Sequence, residues 1–184
     1  MTTRVIILNG VGSAGKSSTA RALQGITDDW FLHVQMDAFL GMLPPSMEGH
    51  PDGITFETVE SEGKPSVVIK TGPALVRAMR GMRHAIAAMA AQGNNLIVDE
   101  VMFNSSEQAE YRALLAPYET RLVAIKAPLE VLETRERERG DRHIGLARSQ
   151  IDFVHSGMTY DLEVDTAAAS PLEAAQQIKT AFHL

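Results

Sequence analysis

The stretch Gly10-Val11-Gly12-Ser13-Ala14-Gly15-Lys16-Ser17 fits the pattern G-x-x-x-x-G-K-[ST]. Those residue types at that spacing suit a ligand carrying several phosphates. Glycines let successive backbone N–H groups turn inward on one anion. The helix start expected next adds unpaired N–H groups and a partial positive charge. Lys16 brings a full charge to the β- and γ-phosphates, and the Ser17 hydroxyl is a ligand for Mg²⁺. The predicted cradle is Gly10, Gly12, Ser13, Ala14, Gly15, Lys16, Ser17 and Ser18. A rival pattern overlaps it: Gly10-x-Gly12-x-x-Gly15 is a dinucleotide fingerprint, and Asp37, 22 residues past Gly15, stands where such a site holds a ribose hydroxyl. Lys16-Ser17 favours the triphosphate reading, because a dinucleotide site has no need of a lysine there.

Three other groups of residues could share that chemistry. Asn95-Leu96-Ile97-Val98 runs into Asp99-Glu100, and a carboxylate at a strand's C-terminal end meets the metal beside the phosphates. Asp99 is the expected acid on the metal side, with Ser17. Glu100 is expected behind it or facing substrate. Asp37 is expected to close the second strand at the same sheet edge, where it can accept the proton of an attacking hydroxyl. Its plainer reading is an N-cap for Ala38 to Leu43. The run Arg135-Glu136-Arg137-Glu138-Arg139-Gly140-Asp141-Arg142 alternates in charge like a solvated helix face. Arg135 and Arg139 nevertheless share one face, and arginines on a closing lid can cover a moving phosphate. His33, His50, His84 and His183 show no metal-ligand spacing and read as surface or core residues. The chain has no Asn-Lys-x-Asp guanine-reading motif.

The elements that must position these groups alternate. Arg4 to Asn9 is a near-continuous apolar run, as in a strand buried on both faces. A helix from about Gly15 to Gln24 follows the loop. Leu32 to Met36, Asn95 to Val98, Arg121 to Ile125 and Leu162 to Val164 read as further strands. Gly72-Pro73 opens a long helix with apolar residues at Leu75, Met79, Met82, Ile86 and Met89, where methionine reads as core filler. Ser170-Pro171-Leu172-Glu173 is a capping box that starts a last helix ending near Phe182. Strands separated by helices predict parallel pairing: a single α/β domain over 1–184, three layers, five parallel strands and a lid at about 135–148. The region of about 41–70, rich in Pro, Gly and acid, is expected as an insertion, with a hairpin from Ile54 to Val59 and Val67 to Lys70.

Composition narrows the partners. The 184 residues carry a net charge of −6, which disfavours a broad nucleic-acid face. No apolar run approaches the roughly 18 residues of a membrane span. The chain has no cysteine, so thiolate chemistry and disulfides are excluded. That composition fits a cytoplasmic protein with a small-molecule substrate, and it leaves room for a homo-oligomer.

Over nearly its whole length the chain resembles chloramphenicol phosphotransferase and its relatives, which are P-loop kinases. The resemblance lies in Thr2-Thr3-Arg4 with Ile6 to Gly10, Ser13 to Ser17, Asp37, Gly72-Pro73, Ile97 with Asp99 and Val101-Met102-Phe103, Arg135-Glu136 and Arg139 to Arg142. It continues in Val154-His155-x-Gly157 and in Tyr160-Asp161-x-Glu163-Val164-Asp165-Thr166, the most specific block. It implies an ATP-dependent O-phosphotransferase using ATP and Mg²⁺. By the same resemblance Asp37 is the base, Lys16, Arg135 and Arg139 contact phosphate, and the loop from Asp165 to Ala167 lies near the adenine. Glu100 stands where the family has an aspartate, and Met47 to Lys70, which with Phe39 to Pro45 is expected to help line the acceptor pocket, is dissimilar. The acceptor is therefore expected to be chloramphenicol, a related antibiotic or another small metabolite (nucleoside, shikimate-like or gluconate-like). An ATP-hydrolysing protein with no acceptor and a dinucleotide oxidoreductase are the readings outside that class.

Overall fold

The computed structural model describes residues 2–61, 63–140 and 143–184. Five strands form one sheet: β1 Arg4–Asn9, β2 Leu32–Gln35, β5 Leu96–Glu100, β6 Glu119–Lys126 and β7 Leu162–Asp165. The order is β2-β5-β1-β6-β7, and every pair is parallel. Counting only these five, the order is 2-3-1-4-5. A dinucleotide fold places its second strand directly beside the first. Here β5 lies between them, so the topology goes against the rival fingerprint.

Alternation along the strands builds two cores. Ile6, Leu8 and Ile97 face one side, against Ala20 and Leu23 of α1 (Lys16–Ile26) and Ala174, Ala175 and Ile178 of α7 (Pro171–Phe182). Val5, Ile7, Leu96 and Val98 face the other, against Met82, Ile86 and Ala90 of α3 (Pro73–Ala91) and Tyr111 of α4 (Ser105–Leu114). The result is the expected three-layer arrangement. The Ser170 capping box of α7 is formed at both of its hydrogen bonds. Helix α4 was not expected from periodicity; it starts where the Asn104 side chain accepts from the N–H groups of Ser106 and Glu107.

The insertion folds as an antiparallel hairpin of β3 (Ile54–Ser61) and β4 (Lys64–Thr71), longer than its apolar residues indicate. It packs beside α5 (Leu129–Arg139) and α6 (Leu146–Gln150). Phe56 stacks on His143 with ring centroids 4.4 Å apart. Glu133 meets Arg148 at 2.5 Å and Lys64 at 3.5 Å. A side chain at Gly145 would press on the Pro65 carbonyl at 2.5 Å.

One boundary differs from the sequence reading in a way that matters. Strand β2 stops at Gln35, and Met36 opens the short helix α2 (Met36–Leu40). Gln35 takes the extended N-cap backbone. Asp37 therefore neither closes the strand nor caps a helix at Ala38; it lies in the first turn, where a negative side chain suits the helix dipole.

Candidate active site

The phosphate loop turns sharply between β1 and α1. A side chain at Gly10 would meet the Ile125 carbonyl oxygen at 2.3 Å, so only glycine lets the loop leave the sheet beside β6. Gly15 has φ +91°, and Ser13 also sits at positive φ, 63°; a non-glycine there carries backbone strain of the kind found in ligand cradles. The Lys16 ammonium, buried to 8% exposure, donates to the Val11 carbonyl at 3.1 Å.

One cavity of about 980 Å³ spans the molecule's ligand edge. From the loop and α1 it receives Gly12, Ser13, Gly15, Lys16, Ser17 and Ser18; from α2, Asp37; from β5, Asp99; from α5, Arg135 and Arg139. Gly10 and Ala14 shape the loop from behind and do not line it. Asp165 does not line it either: its carboxylate accepts from the Ala167 N–H at 2.8 Å, in a turn. Its neighbour Thr166 lines the wall instead and donates to the Ala14 carbonyl at 2.8 Å. Arg135 donates to Thr166 through both Oγ1, at 3.0 Å, and the carbonyl, at 2.7 Å.

The charged run divides by helix geometry. Arg135 and Arg139 line the cavity, while Arg137 bonds the Thr134 hydroxyl outside it. Glu136 is buried and accepts from the N–H groups of Gly145 and Ala147, at 2.7 and 2.9 Å. It thus ties α5 to the start of α6. Gln150, from α6, accepts from the Gly12 N–H at 2.7 Å. Asp141 and Arg142 of the same run lie outside the described residues.

On the metal side, the Ser17 hydroxyl donates to Asp99 Oδ2. Asp99 is 7% exposed. Burial works to raise its pKa, but His33, the Lys16 charge and the Ser17 hydroxyl together hold it below the ordinary value, so the carboxylate is ionised at neutral pH. His33 thus stands beside a site carboxylate, with Nε2 3.7 Å from Asp99 Oδ2. A lone histidine on a strand gives no sequence signal of that. Among the described residues no cluster of three His, Cys, Asp or Glu side chains could hold a metal. The pair Ser17–Asp99 offers hard oxygens, and Mg²⁺ uses one or two such protein groups together with phosphate oxygens and water; the donors present fit that ion.

Glu100 is not at the cavity. Its carboxylate is buried, accepting from the Tyr111 hydroxyl at 2.5 Å and the Val101 N–H at 3.3 Å. Burial pushes its pKa up to about 7, against the lowering effect of the Tyr111 bond. The folded chain then keeps a proton that the unfolded chain releases near 4.5. The resulting stability is complete below that pH and is lost as pH rises through about 7, up to about 3 kcal/mol. Glu100→Gln should therefore flatten the fall in Tm between pH 5 and pH 8 by roughly 5 to 10 °C. Parallel melting curves for wild type and variant would refute the assignment.

Away from the phosphate loop the cavity is walled by the apolar Leu40, Ile54, Phe56, Ile69, Val76 and Phe103, with polar side chains from α3 and α4 beside them. Met79 belongs to this wall and not, as its spacing implied, to the core, whereas Met82 on the same helix is fully buried. At its end Arg83 donates to Glu110 at 2.6 Å and lies 3.6 Å from Glu107. This cluster escapes sequence reading because α3 and α4 meet only in the fold.

The family described as "Chloramphenicol phosphotransferase-like protein" matches residues 3–183. A protein of Mycobacterium tuberculosis strain H37Rv, named "Putative O-phosphotransferase Rv2636", is 31% identical over 184 residues, spanning 97% of this chain and 82% of that protein. A sugar kinase from Janibacter sp. HTCC2649 has a TM-score of 0.67 at 18% identity, covering 98% of this chain and 95% of that one. The APS kinase CysC of Mycobacterium tuberculosis, solved with AMPPNP and APS, also scores 0.67, at 16% identity over 100% of this chain and 99% of that one. At those identities the structures speak for the fold, which is that of P-loop kinases. The family match over nearly the full length carries the rest: the chain belongs to the chloramphenicol phosphotransferase-like family.

Proposed function

We propose that this phosphotransferase moves the γ-phosphate of ATP to a hydroxyl of a small, largely apolar molecule, with chloramphenicol or a related antibiotic the first acceptor to test. The observation that carries the reading is that the phosphate loop and Asp37 open on one cavity whose remaining walls carry an apolar set of side chains from α2, α3 and the hairpin beside a charge-paired Arg83 cluster. ATP would lay its phosphates on Gly12 to Ser18, with Thr166, Ala169 and Pro171 toward the base. Ser17 and Asp99 would hold Mg²⁺, which neutralises phosphate charge when bound. Asp37 accepts the proton of the acceptor hydroxyl as its oxygen attacks the γ-phosphorus. The bond from that phosphorus to the β–γ bridging oxygen breaks, and ADP leaves with the electron pair. Lys16, Arg135 and Arg139 absorb the negative charge spread over the moving group.

The wall argues against strongly anionic acceptors. Among the described residues Arg83 is the cation lining that part of the wall, and Glu107 and Glu110 already pair with it. A carboxylate or phosphate on the acceptor would meet no unpaired cation of the described residues there. The setting we propose is the cytoplasm, where ATP is supplied; no helix among the described residues is long and apolar enough to cross a membrane.

The test is phosphate transfer from labelled ATP, with magnesium, to a panel holding chloramphenicol, other hydroxylated antibiotics, nucleosides, shikimate and gluconate, read as the acceptor's mass gain. Transfer to an amphipathic alcohol supports the reading. Full ATP hydrolysis with no acceptor present, or transfer confined to the sugar acids, overturns it.

A further inference from the structure

The register of the metal-side strands brings a histidine into the site. Gln35 pairs with Asp99 and His33 with Ile97 in the parallel β2–β5 ladder. In such a ladder paired residues share a face, and so do residues two apart. His33, Gln35 and Asp99 therefore lie on the α1 side of the sheet, the side of Ile97 and of the Ser17 hydroxyl. The His33 side chain is 8% exposed. Its Nδ1 lies 3.3 Å from the Gln35 amide nitrogen. With that NH₂ group as donor, Nδ1 accepts and the ring proton sits on Nε2. Nε2 is buried and has no hydrogen-bond partner, and its nearest acidic atom is Asp99 Oδ2 at 3.7 Å. A buried donor left unmet costs stability and calls for a reason.

We propose that His33 is a positioning residue for Asp99: its Nε2–H supplies a second donor, beside the Ser17 hydroxyl, that fixes the carboxylate for the ion accompanying ATP. A shift of less than about 1 Å closes the gap to hydrogen-bond length. Two donors on one carboxylate set both its rotation and its distance from Ser17, and loss of such an outer partner typically weakens metal binding about 10- to 100-fold. The inference rests on the Mg-ATP reading above.

The test compares His33→Leu, which keeps bulk and removes the donor, with His33→Gln, which keeps an N–H near the place of Nε2. Calorimetry would measure ATP affinity with magnesium and with chelator. His33→Leu should weaken ATP binding about tenfold with magnesium and less than twofold with chelator, while His33→Gln recovers most of the loss. Equal weakening under both conditions, or none, overturns the proposal, as does a glutamine variant no better than leucine. Ring ¹⁵N shifts of the wild type provide a second measurement that needs no variant to fold. They should show the proton on Nε2 and move when Mg-ATP, but not ATP with chelator, is added; a proton on Nδ1 overturns the assignment. A wild type whose ATP affinity ignores magnesium would instead sink the Mg-ATP reading itself.

Discussion

Lys16→Ala should lower turnover by at least about a thousandfold while leaving the melting temperature within a few degrees. Phosphoryl transfer asks little covalent work of the protein, and the barrier falls mainly through fixed positive groups around the moving phosphate. Lys16 lines the cavity from the first residue of α1, so its charge adds to the helix's own N-terminal field. Removing it takes away one full charge where charge develops. The structural cost is small. The ammonium donates to the Val11 carbonyl, but a buried cation also carries a desolvation penalty that alanine does not. ATP affinity should fall less than turnover, because the backbone N–H groups of the loop remain. The check is kcat and KM for ATP beside a thermal melt. A variant that keeps a tenth of wild-type turnover would place the transferring phosphate away from this loop, and a variant that fails to melt cooperatively would make Lys16 a structural residue.

The parts of the site visible in the sequence are those whose signal is local. The phosphate loop is a run of neighbours, and its chemistry needs particular residue types at consecutive positions. Arg135 and Arg139 share a face because they are four apart, and the structure puts both on the cavity while Arg137 turns away. The capping box of α7 is likewise a four-residue signal. What escaped depends on pairing between distant segments. His33 meets Asp99 only because β2 and β5 pair in one register. Gln150 reaches Gly12 across 138 positions of chain, and Arg83 meets Glu107 and Glu110 only because α3 packs on α4. Glu100 misled for the opposite reason: it adjoins a site acid in sequence, but alternation along β5 sends it to the other face, against Tyr111. Of the loop Asp165 to Ala167, Thr166 is the side chain that lines the wall, while Asp165 turns to the Ala167 N–H. The hairpin was legible as strands and its region as part of the acceptor wall, and Ile54, Phe56 and Ile69 do line the cavity; what was not legible is its packing against α5 and α6, through Phe56 on His143 and Lys64 on Glu133.

Asp37→Asn should cost about two to four powers of ten in kcat, the usual range for a lost general base, with KM for ATP little changed. The substitution keeps the size and most of the hydrogen bonding of the carboxylate but removes its capacity to take a proton. Asp37 lies in the first turn of a short helix, exposed, and lines the same cavity as the phosphate loop and the apolar wall. In the proposed reaction an acceptor hydroxyl there would face the γ-phosphorus with its proton toward the carboxylate. The position tests the idea more sharply than its exposure alone would allow. If Asp37 only steadied α2 through the helix dipole, asparagine, itself tolerated at helix starts, would cost at most about 1 kcal/mol of stability and almost nothing in rate. The two roles thus predict different observables from one variant: a fall in kcat with an unchanged melt, or a slightly lower melt with kcat intact. Near-full turnover at saturating acceptor would move proton removal to another group or to solvent, and Asp37 would then be a wall residue of the acceptor pocket.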